Sequence, residues 1–119
     1  MNFKVFPPTK IIRRKNYVLS IRKFSGATSR DEVFKRVEEG LVPQLQEFSG
    51  FITYYAVDFE DGDLGAVSVY ETKEDAEKAT AKGLSWVREN MAEFLPNEPT
   101  ILRGAVLFQA TAKCIGKTA

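Results

Sequence analysis

Histidine is missing from this chain altogether, and cysteine occurs once. Without imidazole there is no Ser-His-Asp or Cys-His pair and no side chain whose ordinary pKa lies near neutrality. Zinc centres of the Cys and His kinds are excluded with it. A lone Cys114 forms no internal disulfide, which suits a reducing cytoplasm. Lys113 and Lys117 beside it favour the thiolate, but a tail supplies no held geometry for a nucleophile. No run approaches the ~18 apolar residues of a membrane span. In Met1–Lys15, Phe3, Val5 and Phe6 lead straight into Pro7 and Pro8, so no secretory h-region is read there. Phosphate-cradling glycine loops are also missing.

The 119 residues, 44% hydrophobic and 28% charged, make one domain with a modest core. The net charge of +1 hides an asymmetry. Lys4, Lys10, Arg13, Arg14 and Lys15 precede any acid, and Lys113 and Lys117 close the chain without one. Setting those seven aside leaves ten basic against 16 acidic residues, about −6 over residues 16–110. The expected organisation is a basic tail over 1–15, a folded body over 16–110 and a second tail over 111–119. Such tails read as solvated ends; nucleic-acid binding would ask for a basic face on the fold itself.

Tyr17–Phe24 mixes apolar and polar residues near period two, and a first strand is predicted over 16–24. Ser29 and Glu32 have the spacing of a capping box. The helix predicted from Ser29 to about Phe48 carries Phe34, Val37, Leu41, Leu45 and Phe48 in one stripe. Pro43 has no amide for the carbonyl of Glu39, so a kink or break is expected near Gly40. Strands follow over 50–59 and 64–71, joined by the Asp- and Gly-rich loop Glu60–Gly65. Thr72, with Asp75 three residues on, caps a second helix running to about Leu95. On it Ala76, Thr80, Gly83, Val87, Met91 and Phe94 share a face. A last strand is predicted over 101–110.

This βαββαβ order gives an α+β, ferredoxin-like fold, a four-stranded antiparallel sheet with both helices on one face. The other face should then be polar. Instead both strand parities hold large apolar groups: Phe51, Tyr55, Val57 and Phe59 against Ile52 and Tyr54, and Leu102, Val106 and Phe108 against Ile101 and Leu107. A face this apolar calls for cover, and the simplest cover is a second copy packed sheet to sheet. A homodimer is expected.

Three stretches carry a family resemblance. Leu41–Phe51 followed by Thr53-Tyr54-Tyr55 resembles the helix-to-strand corner of dimeric α/β-barrel proteins. Val67–Ala76 is similar to their corner between the third strand and second helix, and Arg103–Val106 to the start of their last strand. Within that superfamily the chain looks most like the antibiotic-biosynthesis-monooxygenase-like domains, over about Tyr17–Ala110. The resemblance implies a dimer whose sheets face each other and enclose pockets. It also implies company that includes cofactor-free oxygenases of aromatic polyketides and haem-degrading enzymes. The haem-degrading members carry an iron-ligating histidine on the second helix, and Ala76–Lys82 offers none. The quinone-forming members place an Asn one turn before a Trp, whereas here Trp86 precedes Asn90. Neither role is carried over, no catalytic residue is assigned, and no cofactor is called for.

The residues themselves leave a candidate cleft. Arg22 and Arg103 sit mid-strand; if Leu19, Ile21 and Gly104 face the helices, both point into the barrel. They would form a cationic floor for an anionic ligand, or else pair with an acid such as Asp58. Tyr54 and Tyr70 share the inward side with Ser68, offering phenols to a ligand or to Arg22. Trp86 flanks the apolar stripe of its helix, at a cleft rim beside Asn90 or in a structural contact. Asp58, Glu60, Asp61 and Asp63 cluster at a turn without the spacing of a calcium loop, so no metal site is expected. Three functions follow: a small-molecule-binding barrel, conceivably a cofactor-independent monooxygenase; a structural dimer with a filled interior; and, last, an RNA-binding module. The last expects a basic-Gly-aromatic motif that Leu64–Tyr70 lacks.

Overall fold

The computed structural model describes residues 11–12 and 17–112. Lys4, Lys10, Arg13, Arg14, Lys15, Lys113, Cys114 and Lys117, read above as basic tails and a lone thiol, lie outside the described residues. Among the described residues are the strands and α-helical segments β1 (Ile11–Ile12), β2 (Val18–Phe24), α1 (Arg30–Arg36), α2 (Val42–Gln46), β3 (Phe51–Asp58), β4 (Leu64–Tyr70), α3 (Lys73–Asn90), β5 (Thr100–Ala105) and β6 (Gln109–Ala110). The main sheet is antiparallel in the order β3-β4-β2-β5, the ferredoxin-like arrangement. No described helix is long and apolar enough to cross a membrane.

Strands β2 and β4 alternate strictly between buried and half-buried residues, and their buried sides form one layer under the helices. Val33 from α1, Val37 and Leu41 from the turn that follows it and Leu45 from α2 come down onto that layer, with Ala76, Ala79 and Met91 from α3 and its end. Buried Val33 was missing from the predicted stripe, whose Phe34 and Phe48 are half-buried.

Several local expectations are corrected. The Ser29 side chain caps nothing: its backbone is left-handed (φ 53°), and the Thr28 amide is tied to the Phe94 carbonyl at 3.0 Å. Glu32 instead accepts from Arg36 Nε at 2.7 Å. Thr72 does cap α3, its Oγ1 accepting the Asp75 amide at 3.0 Å. Near Gly40 the first helix widens rather than breaks. Val37–Leu41 form a π turn between α1 and α2, closed by the Val42 amide on the Val37 carbonyl. Gln44 Nε2 donates to the Gly40 carbonyl (3.0 Å), occupying an acceptor in the turn that Pro43 disturbs. Helix α3 ends at Asn90, not Leu95, although Leu95 is buried. The last strand stops at Ala105, where the Val106 amide turns to the Tyr17 carbonyl. Chain then resumes as β6, which pairs with β1 in a separate two-stranded ribbon.

The two apolar parities of the third strand have a simple cause. A bulge between Phe51 and Thr53 shifts the register, so Phe51 and Tyr54 lie on the same, helix-facing side, opposite Tyr70 and Ser68. Tyr55 and Val57 point the other way, opposite Val67 and Gly65. With Leu19, Ile21, Val69 and Leu102 they make an uncovered apolar face, on which Tyr55 and Leu102 are 60% and 59% exposed.

Candidate functional site

The candidate cleft lies between sheet and helices, not on the sheet's outer face. In β2 it is Val18, Ser20, Arg22 and Phe24 that are buried, so Leu19 and Ile21 face outward and the predicted parity is reversed. The reversal is a matter of contrast: both sides of β2 are apolar enough that alternation alone does not name the inner one. Arg22 is held there through one nitrogen. Its Nη1 donates to the Ser20 carbonyl and Ser20 Oγ at 3.0 Å and to Ser68 Oγ at 2.9 Å. Ser20 and Ser68 are directly opposite across the β2–β4 ladder and fully buried, so the two hydroxyls form a built cradle. No carboxylate pairs with Arg22 among the described residues. Asp58, the expected partner, binds Arg30 at 3.0 Å.

Around the guanidinium is a cavity of about 50 Å³, lined by Arg22, Tyr54, Tyr70 and Thr80 among apolar side chains such as Phe24, Phe34, Leu41 and Val87. The Tyr54 ring centroid is 5.9 Å from the Arg22 guanidinium carbon. Burial raises the Tyr54 pKa above its ordinary value, and the nearby Arg22 charge opposes that rise. Tyr70 packs edge-on against Phe51, centroids 5.9 Å apart. Thr80 is buried, with 8% exposure, and its Oγ1 has no hydrogen-bond partner among the described residues. Thr80 stands on the apolar face of its helix and is not among the predicted cleft residues; a hydroxyl inside such a stripe is the available signal. Beside this cavity, between the first helix and the β3 edge, runs a groove of about 420 Å³. Phe34, Val37 and Tyr54 line both spaces.

Of the predicted cleft residues, Arg22, Tyr54, Ser68 and Tyr70 are brought together. Trp86 is half-buried over Gly40, away from both spaces, and its carbonyl accepts from Asn90 Nδ2 at 2.9 Å. The Asn90 carbonyl accepts from Arg36 Nη1 at 3.2 Å, so Asn90 works as a helix end. Strands β2 and β5 are neighbours, and Arg103 pairs with Ser20, which puts it on the helix-side face. It is nevertheless exposed, because β5 is an edge strand the helices do not cover. The two arginines therefore do not form one floor. The acids of the β3–β4 turn are used locally: Lys23 pairs with Asp61 at 2.6 Å and with Asp63, and no described group of acids or thiols could hold a metal.

No protein-family profile matches the sequence. No curated protein matches it either. Solved structures do. The "putative antibiotic biosynthesis monooxygenase" of Nitrosomonas europaea superposes with a TM-score of 0.63 at 19% identity, covering 79% of this chain and 93% of its own. A protein of unknown function from the same organism gives 0.60 at 18% identity, over 87% and 97%. A monooxygenase from the ActVA-Orf6 gene of Streptomyces coelicolor, in complex with nanaomycin D, gives 0.57 at 15% identity, over 88% and 95%. Strand order, the helices packed on one face of the sheet and these superpositions agree: the chain has the ferredoxin-like α+β fold of the antibiotic biosynthesis monooxygenase-like structures.

Proposed function

We propose that this chain is a homodimeric domain that binds a small aromatic or anionic molecule between its helices and sheet. One observation carries the reading: Arg22 is a buried cation with no carboxylate partner among the described residues. Desolvating a guanidinium costs several kcal/mol, and neutral hydroxyls and a carbonyl return only part of that. A second unsatisfied group, Thr80 Oγ1, faces the same problem in the same cavity. Both are accounted for if a polar atom of a ligand enters. The structural neighbour crystallised with nanaomycin D supports an aromatic body, and cofactor-independent monooxygenation is the enzymatic form of this reading. The inner cavity is too small for a ring system, so the body of the ligand belongs in the adjoining groove.

The test is backbone-amide NMR during titration with 2-naphthol and 2-naphthoate. Shifts centred on Phe34, Val37, Tyr54 and Thr80 are expected. A structural dimer with a closed interior, the second reading favoured by the small inner cavity, gives none there and would displace this one.

The dimer forms through the outer sheet face. Light scattering on a sizing column should give about twice the 13.4 kDa chain mass. Leu102→Glu, a charge placed on that face, should return the single-chain mass. A wild-type single-chain mass at micromolar concentration would refute the interface.

A further inference from the structure

We infer that the ligand is an apolar carboxylic acid whose carboxylate sits in the inner cavity on Arg22 and Thr80, with its apolar body in the groove. This rests on the binding function proposed above and specifies its chemistry. A guanidinium carries five N–H donors in a planar fork. Three hydrogen bonds of Arg22 leave from Nη1. Beyond these, only the Tyr54 phenol hydrogen-bonds the Arg22 side chain among the described residues, and the Nε and Nη2 edge is the one that fits two carboxylate oxygens side by side.

Size narrows the head group. A water needs about 10–15 Å³ of such space, so about 50 Å³ admits roughly three to five water-sized groups. A carboxylate has three heavy atoms. A phosphate has five and two charges against a single arginine, and a six-membered ring has too many atoms. Thr80 Oγ1 then donates to one carboxylate oxygen and ceases to be an orphan. Apart from the Tyr54 and Tyr70 phenols, the remaining side chains, including Phe24, Leu45 and Leu95, are apolar. Past Phe34, Val37 and Tyr54, which both spaces share, Val42, Phe51, Ile52 and Ala56 give the groove an apolar wall for hydrocarbon, with Glu38, Gln46 and Thr53 as its polar members.

Calorimetric titration of the full-length protein with octanoate and benzoate, against octanamide and benzamide, tests this. The carboxylates should bind at least tenfold more tightly than their amides. Thr80→Val, which keeps shape and loses the hydroxyl, should fold at least as well as the natural chain. It should weaken octanoate several-fold and leave octanamide unchanged. Arg22→Lys, which keeps the charge and loses the fork, should weaken octanoate tenfold or more.

Acid and amide binding alike would overturn the carboxylate assignment, as would 4-nitrophenolate binding where no carboxylate does; in both cases the binding function survives. Acetate binding as tightly as octanoate would overturn the place given to the apolar body. If none of these probes binds, the assignment and the function it rests on fall together.

Discussion

Replacing Gly40 by alanine should destabilise the domain, although in an ordinary helix the same change helps. Glycine inside a helix costs about 0.5–1 kcal/mol relative to alanine, and that gain is available here too. Against it, a Cβ on Gly40 would lie 2.8 Å from Trp86 Cζ2, with Cε2 at 3.5 Å and Nε1 at 3.6 Å. Those are atoms of one rigid ring system, so the whole indole must move by several tenths of an ångström in a packed layer. Overpacking of this kind costs about 1–3 kcal/mol. The balance is a loss of roughly 1–2 kcal/mol. With an unfolding entropy of about 2.1 cal/mol/K per residue, that lowers Tm by about 4–8 °C. Gly83→Ala is the control: its Cβ would meet only Leu41 Cδ2, at 3.9 Å, so Tm should rise by about 2–4 °C. Trp86 is the sole tryptophan, and its emission in thermal melts reports the disturbed contact directly. In a Trp86→Leu background, Gly40→Ala should become neutral or favourable, giving a coupling of about 1–3 kcal/mol in the cycle. If Gly40→Ala raises Tm as Gly83→Ala does, or costs as much without the indole, close approach is not why glycine stands there.

Two titrations follow from the electrostatics. Ultraviolet titration should show Tyr54 ionising above the ordinary value of 10.0, and Arg22→Gln should raise it further because the guanidinium opposes burial. Since the folded state holds that proton more tightly, stability falls as pH rises from 10 through the raised value; a Tyr54 that titrates with exposed phenols refutes the buried placement. The Lys23 hydrogen bonds to Asp61 and Asp63 raise its pKa above 10.5, and the same lysine lowers Asp61 below 3.8. The stability this pair adds is therefore flat at neutral pH. It fades below about pH 4 as Asp61 protonates and above about pH 10 as Lys23 deprotonates. Salt or Lys23→Gln should erase the difference in urea melts, and an acid limb unchanged by the substitution would refute it.

Element order was legible because caps, prolines and glycine turns mark it: Thr72 starts α3, and the Asp- and Gly-rich loop joins β3 to β4. Tyr54, Tyr70 and Ser68 were placed on one side together, since a tyrosine-serine-tyrosine set on two paired strands survives any choice of face. Which face was inner was not legible. The outer side of the sheet is itself apolar, so Leu19 and Ile21 look as buried in sequence as Val18 and Phe24 prove to be. The bulge at Ile52 moved Phe51 across, and bulges leave no composition signal. Arg103 was placed by parity alone, which says nothing about an edge strand lying beyond its helices. Thr80 was hidden because one hydroxyl in an apolar stripe looks like tolerance until the space around it is seen. The ribbon of β1 and β6 depends on pairing across nearly the whole chain, which local pattern does not reach.

The π turn at Val37–Leu41 has a consequence for the history of the chain. Val33, Val37, Leu41 and Leu45 are spaced at intervals of four and are all buried. In an uninterrupted α-helix residues four apart drift by about 40° per step, and the outer two would face well away from each other. A turn closed by an i→i+5 bond takes in one additional residue and cancels much of that drift. The turn thus accommodates one more residue than a plain helix while both flanking segments keep their buried faces on the sheet. A homologue one residue shorter between Arg36 and Val42 should have a plain α-helix and the same core. It would then present a different residue where Gly40 now passes beneath the indole.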